Sequence, residues 1–171
     1  MKGYVQVYTG NGKGKTTAAI GLAVRAAGAG LRVFIGQFMK SGGYSEIRGL
    51  ERFADSVTVE SYGSEHFITG EPSRRDKERA REGFTRIREA VRGGSYQVVI
   101  LDEINVAVRY RLIREAEVLE LIASRPSHVE LVLTGRDAPP SVVARADLVT
   151  EMRDIKHYHA AGVPARRGIE L

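Results

Sequence analysis

Short apolar runs punctuate the chain, and each stops at glycine or at charged residues. Tyr4-Val5-Gln6-Val7-Tyr8 is β-rich and ends at a glycine-rich stretch. Leu31 to Phe38, Tyr96 to Asp102 and His128 to Gly135 are apolar along nearly their whole length. That pattern predicts strands covered on both faces, as in a parallel sheet. Ser56 to Tyr62 instead alternates polar and apolar, which predicts a half-exposed or edge strand. Asp147 to Met152 is the last predicted strand.

Helical periodicity fills the intervals. Ala18 to Ala27 reads as a helix closed by Gly28 or Gly30. Ser45-Glu46 starts a short helix through Phe53. Pro72-Ser73 opens a long one reaching about Val91, stopped by Gly93-Gly94, with Ala80, Phe84, Ile87 and Val91 on its buried face. A helical stretch is predicted from Val106 to Ser124, ended by Pro126, and a short helix from Pro139-Pro140-Ser141 through Arg145. The alternation of strands and crossover-length helices predicts an α/β protein of three layers, α/β/α, with a mostly parallel sheet. No linker, repeat or low-complexity segment divides residues 1–171, so one domain is expected.

Two segments lie outside this pattern. The loop from Gly63 to Pro72 carries Phe67-Ile68 among polar residues; the pair plugs a core edge or forms an apolar lip for a ligand, with the plug as the default. The tail from Ile155 to Glu170 has turn formers and few core residues, and is expected to fold over the sheet edge or over the site.

Composition changes this picture only a little. Hydrophobic residues are 43% and charged residues 27%, as in ordinary globular proteins. The net charge of +5 suits anionic partners, but on charge alone solubility and an arginine-rich composition are the preferred reading. The predicted helix after Pro72 is crowded with arginine, yet Asp76, Glu78, Glu82 and Glu89 recur at ion-pairing distance. A solvated, salt-bridged face is therefore preferred to a nucleic-acid stripe, and the absence of tryptophan leaves little for base stacking. There is no cysteine, so disulfides and thiolate metal sites are excluded. No apolar run approaches the ~20 residues that span a bilayer, and the expectation is a cytoplasmic protein without membrane contact.

The chemistry is concentrated after the first strand, in Thr9-Gly10-Asn11-Gly12-Lys13-Gly14-Lys15-Thr16-Thr17. Strand, glycine loop, helix is the context of a phosphate-binding loop. Glycines let backbone N–H groups converge on an anion. The helix N-terminus adds its dipole. Lys15 supplies a mobile charge, and the Thr16 hydroxyl can ligate Mg²⁺. The usual pattern has four residues between its glycines, whereas Gly10 and Gly14 are separated by Asn11, Gly12 and Lys13 only. Lys13 is a second cation within reach of phosphate. Asp102-Glu103, at the end of a buried strand, supply the complementary carboxylates near the metal. Gln37, Lys40 and Arg136 follow strand ends, where ligands bind in open parallel sheets. Lys40 reads equally well as a solvated loop lysine.

These stretches occur together with Arg25-Ala-Ala-Gly28, Gln37-Phe-Met-Lys40, Leu133-Thr-Gly-Arg136, Ala146 to Met152, Lys156-His157 and the ending Gly162 to Glu170. In that order they resemble the P-loop ATP:corrinoid adenosyltransferases, shortened loop included. The resemblance implies transfer of the 5′-deoxyadenosyl group of ATP to the Co(I) of a reduced corrinoid, with release of triphosphate. It implies ATP and a corrinoid as substrates, Mg²⁺, a homodimer and an electron-donor flavoprotein as partner. It assigns Thr9 to Thr17, Arg25, Gln37 and Arg136 to ATP, and Thr16, Asp102 and Glu103 to the metal, with Lys15, Thr16 and Glu103 carrying catalysis. It assigns Phe67, Lys40, Lys156 and His157 to the corrinoid. The chain departs from the family where relatives often carry Phe and then Trp two residues later, for here Phe67 is followed by Thr69. The alternatives from other classes are a recombinase- or helicase-like ATPase acting on nucleic acid, and a nucleotide-binding module without chemistry.

Overall fold

The structure, a computed structural model, describes residues 1–39, 44–64 and 70–170. The strands are β1 (Val5–Thr9), β2 (Val33–Gln37), β3 (Val57–Ser61), β4 (Val98–Asp102), β5 (Glu130–Thr134) and β6 (Leu148–Glu151). They form one sheet in the order β3-β2-β4-β5-β1-β6. Each of its neighbouring pairs is parallel, so the sheet is more uniform than the mostly parallel one expected. All C-terminal strand ends therefore lie along one margin, and the loops that follow them meet there.

Strand alternation divides the interior in two. Val99 and Leu101 of β4, Leu131 and Leu133 of β5 and Phe34 of β2 face one core. That core is filled by α3 (Arg74–Arg92), α4 (Ile104–Arg109), α5 (Glu115–Ser124) and α6 (Pro140–Val143). Val98, Ile100, Val132, Val33 and Ile35 face the other, against α1 (Lys15–Gly28) and α2 (Ser45–Leu50). The α1 contribution is Ala19, Ala23 and Ala26, spaced for one helix face. Small side chains let the helix lie close to the sheet, which fixes the loop at its N-terminus. On the other side Phe84, Ile87 and Val91 of α3 are buried. Each such side chain stabilises the fold by roughly 1.5–3 kcal/mol.

The α3 helix begins where the sequence places it. Ser73 and Asp76 form a capping box, and the Asp76 carboxyl is held below its usual range, first by the Ser73 hydrogen bond. Its polar face is ion-paired as expected, with Arg74 on Glu78, Arg86 on Glu60 and Glu89, and Arg88 on Glu120.

Several boundaries differ from expectation. α1 starts at Lys15 rather than Ala18 and runs to Gly28, with Gly30 in a left-handed turn just beyond. The stretch from Ser45 to Phe53 is α2 followed by a 3-10 turn at Glu51–Phe53. The single stretch expected from Val106 to Ser124 is two helices, α4 and α5. The break occurs at Arg111, whose φ is 55°. It turns Leu112 and Ile113 into the core, where they are 3% and 2% exposed. Burial of two large side chains outweighs the ~1–3 kcal/mol of strain at one left-handed residue. β3 is an edge strand, as its alternation predicts. β6 is the other edge, and all four of its residues are exposed. No described helix is long and apolar enough to cross a membrane.

Candidate active site

All six strand ends and the N-terminus of α1 build the site. After β1 the chain reverses through Gly10 and Gly14, whose φ angles of 94° and 121° are regions that side chains avoid. Gly12 is needed for a different reason. Its N–H donates to the Met152 carbonyl at 2.7 Å, and a Cβ there would stand 2.8 Å from the Arg153 carbonyl. The Met152 N–H in turn donates to the Thr9 carbonyl at 2.8 Å. The shortened loop is thus stapled along its outer side to the chain leaving β6.

Lys15 opens α1 and folds back into the loop. Its ammonium donates to the Gly10 and Gly12 carbonyls, each at 2.8 Å, and the residue is 7% exposed. Burial pushes its pKa below the ordinary lysine value; the nearby Arg136 charge adds to this, while Glu103 and Asp102 oppose it. The first turn of α1 contains no acidic residue to compete with an incoming anion.

Asp102 is the hub of the second half. It is 1% exposed. Its Oδ1 accepts from the Thr16 hydroxyl at 2.9 Å and from the Thr134 hydroxyl at 2.7 Å. Its Oδ2 accepts from Gln37 Nε2 at 3.2 Å, and Gln37 Oε1 accepts from Ser61 at 3.3 Å. One buried carboxylate therefore ties β2, β3, β4 and β5 to the start of α1. Thr134 also accepts from the Glu103 N–H at 2.9 Å. Glu103 adopts a left-handed conformation, φ 61°, between β4 and α4. Strain of that kind at a non-glycine residue collects at functional sites. Met39 after β2 and Asp137 after β5 share it, so three strand ends on this margin carry left-handed residues.

The structure gathers Thr9 to Thr17, Asp102 and Glu103 around one loop, and Arg136 close enough for its charge to act on Lys15. Gln37 is placed differently from its expected role. It is fully buried and bonded at both ends of its amide, so it holds Asp102 rather than facing a ligand. Arg25 is not brought to the loop: it lies in the last turn of α1, about 15 Å along the axis from Lys15, beside the Tyr8 phenol. His157 caps a 3-10 turn at Tyr158–Ala161, its Nδ1 accepting from the His159 N–H at 3.1 Å, and Lys156 is exposed. Lys40 and Phe67 lie outside the described residues.

Sequence reasoning missed Thr134, Asn105, Met152 and Glu170. Thr134 has a signal, since a hydroxyl at the C-terminal end of a central strand faces the ligand margin. Asn105 is buried and donates to the Gly135 carbonyl at 3.1 Å, which no pattern announces. Met152 and Glu170 act through chain return, which only the fold reveals. The tail does reach the site: the Lys13 ammonium donates to the Ile169 carbonyl at 2.7 Å and lies 3.7 Å from the Glu170 carboxylate.

Residues 1–171 match the family described as ATP:corrinoid adenosyltransferase BtuR/CobO/CobP. The chain belongs to this family. It is 33% identical to a corrinoid adenosyltransferase of Pseudomonas aeruginosa over 99% of this chain and 84% of that one. It is 36% identical to a corrinoid adenosyltransferase of a Sinorhizobium species, over 99% and 81% of the two chains. With that of Escherichia coli K12 it shares 34% over 99% and 86%. The match spans the loop, the Asp102 hub and the tail alike, so the family's pattern covers every part of the site just described. The nucleic-acid ATPase alternative finds no support among these relatives.

Proposed function

We propose that this ATP:corrinoid adenosyltransferase family member joins the 5′ carbon of ATP to the cobalt of a reduced corrinoid. The Co(I) electron pair forms the Co–C bond, the C5′–O5′ bond breaks, and its electron pair leaves on the triphosphate. The observation that carries this reading is the family match over the whole chain; a glycine loop that carries Lys13 and Lys15 at the start of α1 supports it. Charge in this reaction develops at the α-phosphate end, so the cations must sit along the whole triphosphate rather than at its γ end. Lys13 and Lys15 lie on either side of the shortened loop and suit that task.

The residues also fit Mg²⁺. The donors are hard oxygens, the Thr16 hydroxyl and the carboxylates of Asp102 and Glu103, and a buried carboxylate already ordered by three hydrogen bonds needs little rearrangement. Among the described residues no group of three or more His, Asp or Glu forms a self-sufficient metal cage. Mg²⁺ is commonly held by one or two carboxylates together with substrate phosphates, and Asp102 and Glu103 would supply those carboxylates. Bound there, Mg²⁺ would neutralise charge on the leaving triphosphate.

Anaerobic incubation with ATP, Mg²⁺ and chemically reduced cobalamin tests the reading. The corrinoid spectrum should change to that of the alkylated form, with stoichiometric triphosphate. Release of ADP and orthophosphate without corrinoid would favour the ATPase instead. The corrinoid side is assigned to Lys40, Phe67, Lys156 and His157 on the family resemblance. Phe67→Ala should impair the reaction begun from cob(II)alamin plus reductant more than that begun from cob(I)alamin, because only the former must lose an axial base. Equal losses would reduce Phe67 to packing. The reading extends to a homodimer in the cytoplasm, with an electron-donor flavoprotein as the partner that reduces the corrinoid. The absence of cysteine accords with a reducing compartment.

A further inference from the structure

Both lysines of the loop are already satisfied by internal acceptors. Lys15 is held by loop carbonyls, and Lys13 by the tail. The tail acceptor is anchored from behind. The Glu170 carboxylate takes hydrogen bonds from the Tyr158 hydroxyl and from the Arg166 backbone N–H at 2.8 Å, and from the Arg166 guanidinium at 3.2 Å and 3.3 Å. The Ile169 and Glu170 N–H groups donate back to the Arg166 carbonyl. Glu170 is thus fixed within its own short loop, while the Lys13 side chain is 41% exposed and is the partner able to swing. An anion in the loop would draw on Lys13, and it would also meet a fixed negative charge 3.7 Å from that ammonium.

We propose that Ile169 and Glu170 form an internal competitor for Lys13 that sets the affinity of the site for the leaving triphosphate. The inference rests on the adenosyltransferase reading. As the adenosyl group departs, the product remaining in the loop is a bare polyphosphate held by two lysines. The Ile169 carbonyl and the Glu170 carboxylate replace it on Lys13 and repel it from the loop mouth. Release of a tightly held polyanion then requires no opening of the buried Asp102 network.

The test is equilibrium binding of inorganic tripolyphosphate at low ionic strength to the full chain and to Glu170→Gln, Lys13→Ala and the double variant. Glu170→Gln should bind about two- to five-fold tighter, the size expected for a solvent-screened ion pair. Tyr158→Phe, which loosens the anchor without changing charge, should move affinity in the same direction. Lys13→Ala should weaken binding, and in that background Glu170→Gln should have less effect than it has alone. This dependence on Lys13 separates competition from a general change in charge or folding. Unchanged or weaker binding in Glu170→Gln, or an equal effect with and without Lys13, overturns the competitor while the site reading stands. If neither Lys13→Ala nor Lys15→Ala alters tripolyphosphate affinity, the phosphate site itself is refuted.

Discussion

The two flanks of the phosphate loop are held in opposite ways. On the inner flank Lys15, Asp102, Gln37 and Thr134 are buried; Lys15 is held by the Gly10 and Gly12 carbonyls, and Gln37 and Thr134 hold Asp102, through charge-assisted hydrogen bonds. On the outer flank Lys13, Arg166 and Glu170 hold one another in solvent. Removing one member of a buried network leaves its partner desolvated and unpaired, which costs about 1–3 kcal/mol and more for a charge. Removing one member of an exposed pair costs typically less than about 1 kcal/mol and is screened by salt. The inner flank is therefore suited to fixed geometry and the outer flank to exchange, so that one loop can hold a polyphosphate firmly and still release it.

The most direct way to break the contrast is Lys15→Ala. The variant loses a largely buried cation, and with it two or more charge-assisted bonds to phosphate. ATP affinity should fall by about 100-fold or more, corresponding to ~3 kcal/mol. Fluorescent-nucleotide titration reads this directly. Wild-type affinity would mean that the loop is not the ATP site.

Thr134→Val probes the inner flank without touching charge. It removes one donor to Asp102 and the acceptor of the Glu103 N–H. The expected loss is about 1–3 kcal/mol in stability, seen as a lower midpoint in urea unfolding with an unchanged slope. A loss below 0.5 kcal/mol (on the order of a neutral surface change) would show that the network is not rigid.

Glu103→Gln should act more mildly. On the proposed reading no water attacks, so this carboxylate would work through Mg²⁺ and the position of the triphosphate. Transfer should fall about ten-fold, or ~1.4 kcal/mol, and extra Mg²⁺ should restore part of it. Wild-type hydrolysis of ATP that disappears in the variant would instead assign Glu103 to water activation.

The inner flank was the legible half of the molecule. Strand, glycine loop and helix announce Lys15 and Thr16, and an apolar run ending in Asp-Glu announces Asp102, because both follow from the local covering of a strand and the chemistry of phosphate. Gln37 is legible as a strand-end residue, but its bond to Asp102 is not, since spacing locates a residue at a strand end without telling whether its amide points outward or back at Asp102. Thr134 lies on β5, between β1 and β4, and strand order is a property of the assembled sheet. The break at Arg111 was hidden for a related reason. Nothing local disfavours a continuous helix there, and only the core explains why Leu112 and Ile113 leave it. The tail is the least legible part. Its few apolar residues carry no periodic signal, and its place against Lys13 is set by a handful of polar contacts made 156 residues along the chain.

Those polar contacts yield the smallest effect and a specific sign. The Glu170 carboxyl is pulled down to about 2, chiefly by hydrogen bonds from Arg166 and then from the Tyr158 hydroxyl. The same contacts raise the Arg166 guanidinium and the Tyr158 phenol. A carboxyl depressed in the folded state contributes stability that is fully present above its unfolded value, roughly 4.3, and that fades as pH falls through the folded value. Tail docking should therefore persist at pH 5 and weaken between about pH 4 and pH 2. Carbon-13 NMR of the Glu170 side chain should show a midpoint well below that of an ordinary glutamate, and Tyr158→Phe should raise it. Because the group lies at the surface and its partners Lys13 and Arg166 are exposed, the associated change in overall stability should be slight, and salt should erode the shift. A midpoint at the ordinary value, insensitive to Tyr158→Phe, would show that the tail is not docked in solution. The outer flank would then have nothing with which to reclaim Lys13 from the product.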